Sequence, residues 1–185
     1  LSHAASACFS SGFKDCYCLT IDGWGDNSSA KIFKFNKGIF NEVSSTPTID
    51  SLGYFYGSIT KLLGFKPHQH EGKVLGLAAY GRKTKVIKQI NEMISYDLRS
   101  NKFLGNYEKG IYQSNFDNKN LTFLKKNYSK EQIAFSTQFS LEKTVIKCVK
   151  SISNKKINLV LAGGVFANVK LNQKIPDLRN IKKLY

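Results

Sequence analysis

INLVLAGGVFANVKLNQKIP, residues 157–176, is the stretch that decides the fold class. Its first part is a short run of apolar and β-branched residues, the pattern of a strand buried on both sides. Gly163-Gly164 interrupt it. A helical segment follows from about 165 to 174, and Pro176 ends that segment. A buried strand passed through two glycines into a helix is a building unit of α/β folds. Its helix start also turns backbone N–H groups outward, a ready place for an anion or a nucleotide. A plain tight corner between strand and helix uses the same residues, so at this level both readings stay open.

Working back toward the N-terminus, Ser129 and Gln132 have the spacing of a capping box and open a long helix over 130–152. Residues 97–128, rich in Asn, Lys and aromatics, read as an irregular excursion with weak strand signals. A basic helix is predicted over 84–96. Another is predicted over 71–80, where Gly76, Ala78 and Ala79 allow close packing. Leu52, Phe55, Ile59, Leu62 and Leu63 recur at helical spacing until Gly64 and Pro67 close the segment. Earlier still the period is two. CYCLTID (16–22) is a strand that stops at Gly23-Trp24-Gly25-Asp26, and AKIFKFN (30–36) alternates apolar and lysine as a half-buried strand does. Asn36-Lys37-Gly38 turns the chain into IFNEV (39–43). Three antiparallel strands in a meander follow from this. The first dozen residues suit a helix that Gly12 terminates. The chain is therefore expected to be α/β, with a mixed sheet and flanking helices.

The composition narrows the function classes. With 42% hydrophobic residues in 185, the chain can bury a core. No apolar run approaches the roughly 20 residues of a membrane span, and no signal peptide is legible, so no membrane is expected. Leu1 is not an initiator methionine, so a fragment of a longer chain is one reading. The formal charge is +15, but residues 1–80 carry only seven Lys against six acidic residues. Arg82, Arg99 and Arg179 are the only arginines. Arginine forks are what phosphate and base recognition favour, so solvated lysine faces outweigh a nucleic-acid site. Cys8, Cys16, Cys18 and Cys148 form no C-x-x-C pair. They read as buried free thiols, and a cytoplasmic compartment follows.

Among residues that can carry chemistry, Asp22 follows a strand and precedes Gly23 and Gly25. A carboxylate there can hold a cation, and the glycines let a phosphate approach the backbone. A hairpin turn accounts for the same string. His3 stands among Ala and Ser on the first helix. His68 and His70 lack the spacing of a zinc pair and read as loop residues, and Glu71 sits where a helix dipole favours it. No P-loop, GxGxxG or nucleophile elbow is present.

Taken together, the strings are more specific than any one alone. LSHAASA comes first, and DGWG begins nineteen residues past His3. SLGYFYGSITKLLGF, EGKVLGLAAYG, IAFSTQFSLE and LAGGVFANVKLNQKI then follow in order. This series resembles the NodU/CmcH family of O-carbamoyltransferases across nearly the whole chain. The resemblance implies part of the duplicated fold of actin, sugar kinases and heat-shock ATPases, with nucleotide bound between two lobes. It also implies that residues 1–185 are a partial carbamoyltransfer domain. On this reading a first lobe, the C-terminal end and a YrdC-like domain lie elsewhere in a parent chain. That YrdC-like domain would turn carbamoyl phosphate and ATP into carbamoyl adenylate. The present domain would pass the carbamoyl group to a small hydroxyl-bearing acceptor.

By the same resemblance, His3 and Asp22 are catalytic as ligands of a divalent metal, iron in the first place, with zinc or manganese as alternatives. Gly23, Gly25, Gly53, Gly163, Gly164 and Asn168 match positions that contact ATP or the adenylate. Two further metal ligands of the family, a histidine four residues before His3 and a late aspartate, fall outside this sequence. The fragment alone is accordingly expected to be inactive. Two rival readings remain: a basic nucleic-acid or polyanion module, and a catalytically degenerate scaffold. The 97–128 segment is a candidate specificity element.

Overall fold

The β-branched and aromatic residues near the N-terminus form one continuous ladder. The computed structural model describes residues 1–25, 27–111 and 118–185. After α1 (Ser2–Ser10) come β1 (Asp15–Gly25), β2 (Ser28–Asn36) and β3 (Ile39–Pro47), paired antiparallel. Lys37 and Gly38 both take positive φ, 46° and 90°, which gives the two-residue hairpin turn whose twist suits the strands it joins. The chain then forms α2 (Leu52–Leu62), α3 (Glu71–Ala78) and α4 (Val86–Asn91). A separate hairpin follows, β4 (Ile94–Asp97) with β5 (Lys102–Gly105), and then α5 (Lys119–Asn127) and α6 (Lys130–Ile152). The last elements are β6 (Ile157–Ala162), α7 (Val169–Lys174) and β7 (Ile181–Leu184). β6 pairs parallel with β1, and β7 parallel with β6, so the sheet has the order β3-β2-β1-β6-β7 and is mixed.

Alternation along β1 and β2 serves two cores rather than one. Leu19, Ile21, Ala30 and Ile32 point into a large cluster with α2, α6 and β4. Cys16, Cys18, Phe33 and Phe35 point to the opposite face, where Ala4 and Cys8 of α1 cover them. AKIFKFN is therefore buried on both faces, not half-buried as its lysines suggest. All four cysteines are free and buried. Among the described residues no helix is long and apolar enough to cross a membrane.

Several sequence expectations change. β1 runs three residues past Asp22, to Gly25. The helix expected over 84–96 ends at Asn91, because Ile94 and Tyr96 alternate into a strand and their side chains are buried. Residues 97–128 are not one irregular excursion. Asp97 accepts from the N–H groups of Arg99 and Ser100, closing the β4–β5 turn. Asn118 caps α5 through the Leu121 N–H. Residues 112–117 of that segment lie outside the described part. The helix expected from 165 begins instead as a 3-10 turn over Gly164–Ala167, with Asn168 then capping α7. The capping box at Ser129 and Gln132 forms as its spacing predicts.

Candidate functional site

The site is built where β1 leaves its partner. Between Ile21 and Gly25 the register with β2 slips: four steps along β1 oppose two along β2. Such a bulge re-aims side chains and frees backbone from the ladder. Two contacts fill the gap. The Ser51 hydroxyl, which also caps α2 through the Tyr54 N–H, lies within hydrogen-bond distance of the Asp22 and Gly23 carbonyls, at 3.1 and 2.8 Å. Gly53 lies directly against Gly23. A Cβ at Gly53 would stand 2.6 Å from Gly23 Cα and 2.9 Å from the Asp22 carbonyl oxygen. The start of α2 thus packs backbone to backbone on the end of β1.

Asp22 is held from two further directions. The Gly164 N–H donates to Asp22 Oδ1 at 2.7 Å, and Asp22 Oδ2 stands 2.9 Å from His3 Nδ1. Gly163 makes the corner after β6 possible. Its φ of 97° belongs to glycine, and a Cβ there would meet the Ile21 carbonyl at 2.5 Å and Asp22 Oδ2 at 2.7 Å. The strand–GG–helix unit therefore wraps the carboxylate, rather than leaving the Gly164 N–H open to a ligand. His3 is 64% exposed and Asp22 22%. An imidazole nitrogen and a carboxylate oxygen this close can share one transition-metal ion, each at about 2.1 Å, when the histidine is neutral. The donor set fits such a cation as two ligands of a larger set. Among the described residues no group of three or more His, Cys, Asp or Glu stands together for a metal.

Beside this corner opens a cavity of about 460 Å³. Gly23, Gly53, Gly164 and Asn168 line it, and so do Tyr56, His68, Glu71 and Gly72. Gly25 sits instead at the hairpin end, opposite Ser28, and Gly163 lies behind Asp22. His68, which lines the cavity, meets Tyr54 edge-on at 6.1 Å, and Tyr54 in turn meets Trp24, 70% exposed, at 6.0 Å. His68 takes positive φ and donates its N–H to Glu71 Oε1 at 2.6 Å, which folds the loop before α3 against the cavity. At the other end Tyr56 and Asn168 meet the buried side chain of Gln138. Burial, then the charges of Glu71 and Glu142, push the Tyr56 hydroxyl far above its ordinary range, so it stays a donor.

Of the residues singled out in the sequence, His3, Asp22, Gly23, Gly53, Gly163, Gly164 and Asn168 converge here, and Gly25 does not line the cavity. Sequence reasoning passed over Tyr56, Gln138 and Glu142, and it took His68 for loop and Glu71 for a cap. The missed signal was polar residues on the buried stripe of a helix: Gln138 and Glu142 share the face of Leu141 and Val145 on α6.

Comparison with known proteins follows this geometry. The carbamoyltransferase N-terminus family matches residues 1–185. Protein MJ1051 of Methanocaldococcus jannaschii is 36% identical over 184 residues, 92% of this chain and 34% of that one. Nodulation protein NolNO of Sinorhizobium fredii is 31% identical over 191 residues, 95% of this chain and 26% of that one. Nodulation protein NolO of Bradyrhizobium diazoefficiens is 29% identical over 188 residues, 94% of this chain and 32% of that one. The chain thus spans about a quarter to a third of the curated relatives it matches. Among solved structures, component A of (R)-2-hydroxyglutaryl-CoA dehydratase from Acidaminococcus fermentans superposes with a TM-score of 0.53 at 17% identity. The match covers 99% of this chain and 60% of that one. That likeness is one of fold, the mixed α/β arrangement of actin-like ATPases. The match over all 185 residues makes this chain a member of the carbamoyltransferase N-terminus family.

Proposed function

We propose that the protein transfers a carbamoyl group from carbamoyl adenylate to the hydroxyl of a small acceptor, with a divalent cation at His3 and Asp22. The observation that carries this reading is the pairing of His3 Nδ1 with Asp22 Oδ2 at 2.9 Å, beside a cavity whose wall is bare backbone at Gly23, Gly53 and Gly164. In the transfer the acceptor oxygen bonds to the carbamoyl carbon. The bond from that carbon to the phosphate oxygen breaks, AMP leaves with the electron pair, and the hydroxyl proton passes to water. A cation held by His3 and Asp22 supplies Lewis acidity toward the carbamoyl carbonyl or the acceptor hydroxyl.

The chain's own residues orient and shelter. The Gly164 N–H fixes one oxygen of Asp22 and leaves the other toward His3. Ser51 holds the Asp22 and Gly23 carbonyls, so the corner does not shift when a ligand arrives. Gly23 and Gly72 have no atom within 4 Å of where a Cβ would stand, which leaves room for a phosphate or ribose against main chain. The carbamoyl adenylate would be made from ATP and carbamoyl phosphate by a YrdC-like domain of the same parent protein.

The full-length protein, supplied with ATP, carbamoyl phosphate and Fe²⁺, Zn²⁺ or Mn²⁺, should release pyrophosphate only when carbamoyl phosphate is present. It should form AMP together with a carbamoylated product when a polyhydroxylated acceptor is added. His3→Ala should abolish product formation and spare pyrophosphate release. Equal product yield from His3→Ala would remove His3 from the transfer, and pyrophosphate release indifferent to carbamoyl phosphate would remove the reaction itself.

A further inference from the structure

The polar end of the cavity is wired so that only one arrangement of hydrogens satisfies it. Gln138 and Glu142 are 6% and 7% exposed, one helical turn apart on α6. Lys174 donates to Glu142 Oε2, and Gln138 Nε2 donates to Glu142 Oε1 at 2.7 Å. An ionised carboxylate has no hydrogen to give, so the end of Gln138 that faces it must be the amide nitrogen. The second hydrogen of Nε2 goes to Asn168 Oδ1 at 3.0 Å. Gln138 Oε1 then accepts twice, from the Tyr56 hydroxyl at 3.0 Å and from Asn168 Nδ2 at 2.8 Å.

An independent constraint reaches the same result from the other side. The Leu171 N–H at the start of α7 donates to Asn168 Oδ1 at 3.0 Å, so that atom must be the oxygen. Both lone pairs of Asn168 Oδ1 and both hydrogens of Gln138 Nε2 are spent. Among the described residues one hydrogen of Asn168 Nδ2 remains without a partner. The Tyr56 oxygen, its proton committed to Gln138, remains as an acceptor. Tyr56 and Asn168 both line the cavity.

We infer that Gln138 and Glu142 are positioning residues that, together with the Leu171 N–H, hold Asn168 in one polarity, so that this end of the cavity offers a ligand one N–H donor beside one phenolic oxygen. The ligand group that fits is a hydrogen-bond acceptor atom of the nucleoside, a ribose hydroxyl oxygen or a purine ring nitrogen. The inference rests on the proposed use of ATP, and it adds what selects the nucleoside and which residues do so without touching it. Replacing Glu142 by Gln keeps the shape and removes the rule, because a neutral amide lets Gln138 turn over and present Asn168 with a competing donor.

The test uses the full-length protein, with ATP binding by titration calorimetry and carbamoyl phosphate-dependent pyrophosphate release as separate readouts. Asn168→Asp keeps an oxygen cap on α7 but takes the N–H from the cavity, and should weaken ATP about tenfold or more. Glu142→Gln should weaken ATP at this cavity about threefold to tenfold, while carbamoyl phosphate-dependent pyrophosphate release, the work of the YrdC-like domain, stays within about twofold. In the double variant, Glu142→Gln should add nothing to Asn168→Asp. Gln138→Met, which cuts the relay with little change of volume, provides a second route should Glu142→Gln not fold. The 2′- and 3′-deoxy and the 1-, 3- and 7-deaza forms of ATP locate the acceptor: the analogue that binds wild type and Asn168→Asp equally lacks that atom. Additive losses in the double variant, or wild-type ATP affinity in a folded Glu142→Gln, overturn the relay. An undiminished Asn168→Asp penalty with all five analogues overturns the nucleoside assignment. ATP binding that follows this pattern, with pyrophosphate release indifferent to carbamoyl phosphate, defeats the transferase reading and leaves the relay standing. Carbamoylated product formed as in wild type by folded Glu142→Gln and Gln138→Met, with pyrophosphate release still dependent on carbamoyl phosphate, does the reverse.

Discussion

The two faces of the sheet are covered unequally. On one, α2 and α6 with the elements around them bury a core that reaches from Leu19 to Ile181. On the other, α1 alone rests on Cys16, Cys18, Phe33, Phe35 and Val160. The thick face builds the cavity, and the thin face delivers His3. The two meet at the end of β1, where Asp22 reaches His3 of α1 and Gly23 lies against Gly53 of α2. Rigid packing is thus spent on shaping the pocket, while one of the two candidate metal ligands rides on a nine-residue helix with two buried side chains.

Four experiments would break or sharpen that contrast. Gly53→Ala should be the most damaging, because the intruding Cβ meets backbone at 2.6 and 2.7 Å and neither strand nor helix can yield. A loss of about 3 kcal/mol or more is expected in denaturant unfolding. Gly72→Ala, with nothing within 4 Å, should cost no stability and so serves as its control. Next, truncation should separate the faces. Leu141→Ala on the thick face should cost about 2–5 kcal/mol, as buried leucines do. Cys8→Ala on the thin face should cost about 1 kcal/mol, in line with its smaller volume. Equal losses would show that α1 is as firmly seated as α6.

Alkali should unsettle the thin face next. Burial, followed by the neighbouring thiols, pushes Cys8 and Cys16 up to about 12, and burial pushes Cys18 up to about 11, well above an ordinary thiol. The neutral thiol is favoured in the folded state, so this stability is fully present below about pH 9. It is lost as the unfolded chain ionises between about pH 9 and 12. Urea midpoints should therefore fall across that window, and less steeply in Cys8→Ala. His3→Ala should have the smallest effect, within about 0.5 kcal/mol, since its ring is mostly in water. A melting temperature that drops by many degrees would instead make the His3–Asp22 contact a strut of the fold.

Much of this was legible where local pattern and tertiary demand agree. AKIFKFN, the Ser129–Gln132 capping box and the glycine pair after β6 each carry their structure in a few residues. The misreadings have physical causes. Lys31 and Lys34 hid the second buried face of β2, because long lysine stems reach water from a covered sheet. Residues 92–96 read as the end of a helix, whereas Asp97 closes a turn with its side chain, an interaction that competes with helix formation and leaves little trace in hydrophobic period. β7 went unanticipated, since IKKL is short and two of its four residues are charged. In the site, Asp22 and His3 could be named from a family resemblance. Gln138 and Glu142 could not, because their meaning depends on Tyr56 arriving from α2 and on Asn168 and Lys174 from the two ends of α7.

The hydrogen bond between Asp22 and Gly164 joins residues 142 apart in sequence, and this separation matters in time as well as in space. The β1–β2–β3 meander and Ser51's hold on Asp22 need only neighbouring chain, with Ser51 and Asp22 29 positions apart. They can close while later residues are still being synthesised. The carboxylate, by contrast, has no fixed orientation until β6 docks beside β1, a closure with a long loop and a correspondingly slow step. The contacts on Asp22 are therefore complete only once β6 has docked beside β1.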